Sequence, residues 1–235
     1  EEREIMRNSL INDRVNWINS LIDEIDHGDI NVNCKVVWHN RPFEPVIEHV
    51  LNDNYDVVIK GTHQHDKLKS VIFTPTDWHI LRKCPCPVLL VKDHQWPANG
   101  NIIAALNVGS DEAEHQSLNR KITEEAVCLA NLIGSNVHLV NSFPGTPVNI
   151  AIEIPEFNSN EYNKTMLSHH EKAMARHAEQ YDISSEFTHV KEGLPEDVID
   201  NVSHDLDAEL VVLGTIGRTG LSAAFIGNTA EHVID

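Results

Sequence analysis

Three glycines and an asparagine in the stretch LGTIGRTGLSAAFIGNT carry the clearest chemical signal in the chain: Gly214, two residues, Gly217, nine residues, Gly227, then Asn228. Glycine admits positive φ and lets other groups approach the backbone closely, and free N–H groups ahead of a helix attract phosphate oxygens. Arg218 adds a cation to the same loop. The chemistry on offer is anion capture by backbone donors. It is not P-loop chemistry, because the loop lacks the lysine that reaches terminal phosphates, and neither a GxSxG elbow nor an HExxH helix is present. Glycines can also simply turn a chain; a strand before this loop and a helix after it favour capture.

Such a loop must be held by particular elements. ELVVL (209–213) supplies the strand ahead of it and a helix entered at Asn228 follows. Upstream, NIIAAL (101–106) is a nearly continuous apolar run, as expected of a strand buried on both faces of a parallel sheet. Leu118, Ile122, Ala126, Leu129 and Ile133 then recur at helical spacing, with Gly134 at the C-cap position. Strand NVHLV (136–140), a helix from about Tyr162 to Tyr181, strand SEFTHV and a helix led by Pro195 complete the series. Strands alternating with helices predict an α/β fold, an open parallel sheet covered on both faces. Ligands in such sheets sit where the winding reverses, here between the strands ending at Leu106 and Leu213, where Asn107 is placed to meet a ribose hydroxyl.

The series is repeated. Residues 55–82 overlay residues 208–235 at a constant offset of 153, with Val58, Gly61, Thr62, Leu68, Thr76 and His79 recurring as Val211, Gly214, Thr215, Leu221, Thr229 and His232. The reading is two tandem Rossmann-like domains, 1–93 and 94–235, each built on a five-stranded parallel sheet. By the same offset, the first copy is expected to lack its first strand, first helix and second strand, starting within a helix striped by Ile11, Val15, Ile18, Ile22 and Ile25. The second copy is expected to lack the strand matching CPVLLVK (86–92). In the first copy Gln64 and Thr74 replace the second and third glycines, and Pro75 has no N–H to offer. That copy is expected not to bind an anion this way.

The 235 residues carry 36 acidic and 18 basic side chains, a net charge of −18. Such a surface repels nucleic-acid backbones and anionic membranes, so neither is an expected partner. Residues 1–93 hold 11 cations and 15 anions, and residues 94–235 hold 7 and 21. The glycine loop thus lies in the more acidic copy, where an anionic ligand would need local donors and Mg²⁺. No stretch is apolar for the roughly 18 residues a membrane span needs, and the start EEREIM is unlike a signal peptide, so the cytoplasm is the expected compartment. Cys34, Cys84, Cys86 and Cys128 read as reduced and structural.

The pattern G-x-x-G-x(9)-G followed by a small polar residue, after VVLG and before a helix, resembles the ATP-binding signature of the universal stress protein family. HVKEGLPEDVI and RKCPCPVLLVK resemble its third-strand and last-strand motifs. The resemblance covers both copies and is to the tandem-domain type. It implies an adenine nucleotide, ATP or a relative, held by glycines and backbone atoms. It also implies cytoplasmic residence, pairing of the two copies as an intramolecular pseudo-dimer with a homodimer as a further option, and a role in stress survival that includes resistance to DNA damage. Carried over, it sets Ala105, Leu106 and Asn107 on the nucleotide and Val140 at the adenine edge through its main chain. Leu213, Gly214 and Gly217 would flank the ribose and phosphates, and Gly227, Asn228 and Thr229 would hold the phosphate tail. The family's ATP binders usually carry Asp in place of Asn107 and Ser or Thr in place of Asn228; an amide can still accept from a hydroxyl or cap a helix.

Other residue sets offer rival chemistry. His63, His65 and Asp66 could ligate zinc, although such a loop is more often merely solvated. His169, His170 and His177 share a helix with Met166, Ala173 and Met174 and read as its wet face. Trp38, Phe43, Phe73 and Trp78 read as core packing in preference to a metabolite pocket, and the long loop 143–158 as a lid or pocket wall. Slow Mg²⁺-dependent hydrolysis and a ligand-free scaffold are the alternatives to nucleotide binding.

Overall fold

The computed structural model describes residues 2–64, 71–72, 74–92, 96–97, 99–146, 158–215 and 228–234. Two compact units divide the chain, Glu1–His63 with Ile72–Val91, and Gln64–Val71 with Lys92–Asp235.

In the first unit, α1 (Glu2–Asp23) is followed by α2 (Phe43–Asp53) and β1 (Val58–Gly61). Two-residue strands β2 (His63–Gln64) and β3 (Val71–Ile72) pair with one another. Then come α3 (Pro75–Lys83) and β4 (Val88–Val91), which lies parallel to β1 with Val58 opposite Val88 and Gly61 opposite Val91. Phe43 and Val50 of α2 and Ile80 and Leu81 of α3 form its buried apolar core, with the Phe43 ring stacked on His79 at 4.1 Å. Phe43 thus packs as expected. Trp38 does not, being 61% exposed. The striped helix forms, but no residue of α1 is buried.

The second unit winds β5 (Asn101–Leu106), α4 (Ala113–Ile133), β6 (Asn136–Phe143), α5 (Ser159–Glu179), β7 (Thr188–Glu192), α6 (Pro195–Asp205), β8 (Ala208–Val212) and α7 (Asn228–Ile234). Its parallel sheet has the order β7-β6-β5-β8. Alternation along β5 decides which helix covers which face. Ile102, Ala104 and Leu106 pack with Ile122, Ala126 and Ala130 of α4 and Met174 and Ala178 of α5. Ile103 faces the other way, onto Val198, Ile199 and Val202 of α6, with Val233 of α7 against the same cluster. Because both faces are dry, β5 is apolar nearly throughout, which is why it read as a central parallel strand. Gly134 closes α4 at φ 69°, a left-handed C-cap that glycine adopts without steric cost.

The second unit is therefore a parallel sheet under helices on both faces, with the four strands expected of a copy that lacks its last one, and among its described residues the first unit holds the parallel β1-β4 pair. Residues 30–39, which lead into α2 as β7 leads into α6, form neither helix nor strand. The reason is a missing hydrogen-bond partner. β7 is held by β6, and among the described residues of the first unit nothing occupies the place of β6.

Candidate functional site

The sheet order fixes the topological switch. From β5 the chain steps outward through β6 to β7, then returns to the opposite side of β5 as β8. Ile102, Ile103 and Ala104 lie opposite Leu210, Val211 and Val212. The carboxyl ends of β5 and β8 are consequently neighbours, and Ala105, Leu106 and Asn107 end one strand beside Leu213 and Gly214, which follow the other.

Side-chain amides set the backbone leaving β5. Asn119 of α4 accepts from the Asn107 N–H and donates to the Asn107 carbonyl, both at 2.9 Å. The Asn141 Oδ1 accepts from the Val108 N–H at 3.0 Å, while its Nδ2 donates to the Ser142 carbonyl and reaches His170 Nδ1 at 3.0 Å. Asn119 and Asn141 are both buried, so these donors and acceptors satisfy one another out of water. Gly109 passes so close to the His170 ring that an added Cβ would collide with it. A Cβ on Gly214 would lie 2.6 Å from Leu118 Cδ2 of α4, so close packing already accounts for that glycine.

Asn107 itself is exposed at the strand end. Val140 is 1% exposed and lies inside the sheet, opposite Ala105 on one side and His189 on the other. Thr229 is half-buried in the first turn of α7, which Asn228 begins. Gly217, Arg218 and Gly227 lie outside the described residues, as do His65 and Asp66 of the metal alternative; His63 belongs to β2. Most of loop 143–158 lies outside them too. Among the described residues no group of three or more histidines, cysteines or carboxylates could hold a metal ion.

The same positions in the first unit are filled differently. At the repeat offset, Lys60, Thr74 and Asp77 correspond to Leu213, Gly227 and Ala230. Thr74 caps α3 by accepting from the Asp77 N–H, and Asp77 Oδ2 accepts from the Thr74 N–H at 2.6 Å and from its hydroxyl at 2.8 Å. The Lys60 ammonium pairs with Asp77 Oδ1, on a carboxylate that is fully buried. Burial alone would raise the Asp77 carboxyl, but the hydrogen bonds from Lys60 and Thr74 outweigh it and hold the group below its ordinary value. A built-in anion thus occupies this helix start. The T-x-x-D pattern at 74–77 was the available sequence signal, a capping box of the kind that opens helices.

Buried histidines form the other feature that sequence patterning misread. His170 is 6% exposed and His177 half-buried, so only His169 of that trio is on an exposed face. The Thr123 hydroxyl donates to the Asn119 carbonyl and meets His177 Nε2 at 2.8 Å. His138 of β6 sits between His189 Nε2, at 3.0 Å from its Nδ1, and Asn101 Oδ1, at 3.2 Å from its Nε2. Burial pushes all four imidazoles below their ordinary value, reinforced at His138 by His189, at His170 by His169 and at His189 by Lys191. These rings are built to be neutral.

A family model described as the Universal stress protein family matches residues 10–92 and again residues 101–235. The chain belongs to the universal stress protein family. Two domains of that family follow one another along it. Universal stress protein E of Escherichia coli strain K12 is 48% identical over 236 residues, a match spanning all of this chain and 75% of that protein. The Salmonella typhi protein of the same name is 49% identical over the same shares, and the Haemophilus influenzae homolog 42% over 76% of its length. Among solved structures, a Pseudomonas aeruginosa UCBPP-PA14 protein described as a universal stress protein superposes with a TM-score of 0.75 at 32% identity, over 93% of this chain and 73% of that one. A second Pseudomonas aeruginosa structure, of unknown function, gives 0.76 at 31% over the same shares. No helix among the described residues is long and apolar enough to cross a membrane.

Proposed function

We propose that this chain is a cytoplasmic, non-enzymatic stress protein whose second domain holds ATP or a related adenine nucleotide and whose first domain is its structural partner. One observation carries the reading. The switch point between β5 and β8 is flanked by strand ends and small residues in the second unit, whereas the corresponding helix start of the first unit is taken by the buried Asp77 and its partner Lys60. Asn107, exposed at the end of β5, has the amide chemistry to meet ribose hydroxyls. The Asn107 and Val108 amides are spent on Asn119 and Asn141, so donors to the phosphates must come from beyond β8, where Gly217, Arg218, Gly227, Asn228 and Thr229 stand. Mg²⁺ bound with the nucleotide would supply charge compensation in this acidic half. By family likeness the cellular role is stress survival, including resistance to DNA-damaging agents. The net charge of −18 favours an indirect route to that protection over contact with DNA.

Isothermal titration with ATP and Mg²⁺ on the full chain tests the reading. Heat is expected from the parent protein, none from Gly217→Glu, and about tenfold weaker binding from Asn107→Ala. No heat from the parent at concentrations well above micromolar overturns it. Metal-dependent release of ADP that Gly217→Glu abolishes would instead establish a slow hydrolase.

A further inference from the structure

The connection between α3 and β4 brings two sulfurs together. Cys84 is the C-cap of α3, its N–H donating to the Ile80 carbonyl at 2.9 Å, and the chain then bends at Pro85 and Cys86 before β4 begins at Val88. Within that bend Cys84 Sγ lies 3.6 Å from Cys86 Sγ, a thiol–thiol contact. Both residues are half-buried, so small oxidants can reach them. Backbone bonds on either side pin the segment: Cys84 is tied back to α3, and the Pro87 carbonyl accepts from the Val58 N–H of β1 at 3.0 Å. A disulfide requires the sulfurs to close to about 2.05 Å.

We propose that Cys84 and Cys86 are a reversible dithiol–disulfide pair that reacts with hydroperoxides, Cys84 attacking and Cys86 resolving. Burial, followed by the hydrogen bond to Cys84, pushes the Cys86 thiol up to about 11, so Cys86 retains its proton at neutral pH and takes the resolving place. The Cys84 sulfur attacks one peroxide oxygen, the O–O bond breaks, and the departing hydroxide takes the proton given up by Cys84 to leave as water. The resulting sulfenic acid is then attacked by the Cys86 sulfur. Its hydroxyl leaves as a second water with the Cys86 proton, and the S–S bond forms. Overall two thiols are oxidised, one hydrogen peroxide is reduced, and two waters are produced. The product is a tight ring through Pro85, of the strained class that cellular thiols readily reopen.

Trypsin cuts after Lys83 and Lys92 and so releases both sulfurs in one peptide, CPCPVLLVK. The full chain, folded and reduced, is treated with hydrogen peroxide at neutral pH, alkylated, digested and weighed. Two of the four thiols should be lost, with this peptide lighter by two hydrogens, unalkylated, and restored by reduced glutathione. In Cys86→Ser the sulfenic acid on Cys84 should become trappable by dimedone. The proposal is overturned if both sulfurs of the peptide remain alkylatable while Cys34 or Cys128 is consumed. Independent passage of Cys84 and Cys86 to sulfinic or sulfonic acids overturns it equally.

Discussion

Lys60 at the penultimate position of β1 neutralises Asp77 in the first turn of α3, and the residues at the same places in the second unit, Leu213 and Ala230, carry no charge. One copy of the repeat therefore completes its helix start internally, with its own cation and anion, and the other copy leaves that place uncharged.

Lys60→Met should leave Asp77 buried without its counter-ion. Losing one member of a buried pair costs roughly 3–5 kcal/mol, reduced here to about 2–3 kcal/mol because the Lys60 side chain is 23% exposed. The urea midpoint followed by tryptophan fluorescence should fall, since Trp17, Trp38 and Trp78 all lie in the first unit. Adding Asp77→Ala should recover more than half of the loss, because the stranded charge goes with it. An unchanged midpoint in the single variant would show that the pair contributes nothing.

The second unit should weaken in mild acid. Asn101 Nδ2 donates to the Leu206 carbonyl, which turns its Oδ1 toward His138 Nε2, so that nitrogen carries the proton and His138 Nδ1 accepts from His189. Both rings are neutral in this arrangement, and Lys191, bridged to Asp205 at 3.6 Å, is the cation beside His189. A depressed folded value means the unfolded chain takes up more protons below about pH 6.5, so this stability is present above that pH and is lost as pH falls through the folded values. Hydrogen-exchange protection of the β6 and β7 amides, corrected for intrinsic rates, should drop between about pH 7 and 5. Flat protection across that window would contradict the assignment.

The turn after β5 should depend on Asn141. Asn141→Ala strands the Val108 N–H and removes a partner of His170, at a cost of about 1–3 kcal/mol. Gly109→Ala drives a methyl into the same ring and should cost a similar amount through overpacking. Thermal unfolding should show both losses, and the double variant should be less destabilised than their sum, since both act through His170.

Much of this architecture was readable in the chain. The run NIIAAL announced a central strand because a strand with two dry faces has no polar side to betray its period. The 153-residue offset announced the tandem repeat and, through it, which residues share an address in the two copies. What escaped were relationships that periodicity does not encode. His170 and His177 carry a polar label, yet Asn141 and Thr123 receive them inside. Lys60 and Asp77 are 17 residues apart in sequence and look like ordinary surface charges until α3 folds over β1. Residues 30–39 hold Val32, Val36 and Val37, but β-propensity cannot make a strand without a neighbour to bond.

The reciprocal bonds between Asn119 and the Asn107 peptide have a bearing on chemical ageing. One amide gives and takes at once, an arrangement that no carboxylate can reproduce because it has no N–H to give. Spontaneous deamidation of Asn119 would swap a donor for an anion facing the Asn107 carbonyl, in a buried setting. The change adds a single charge and almost no mass, yet it would turn the best-held peptide at the end of β5 into a repulsive contact. A single N–H thus decides whether the end of β5 is fastened or repelled.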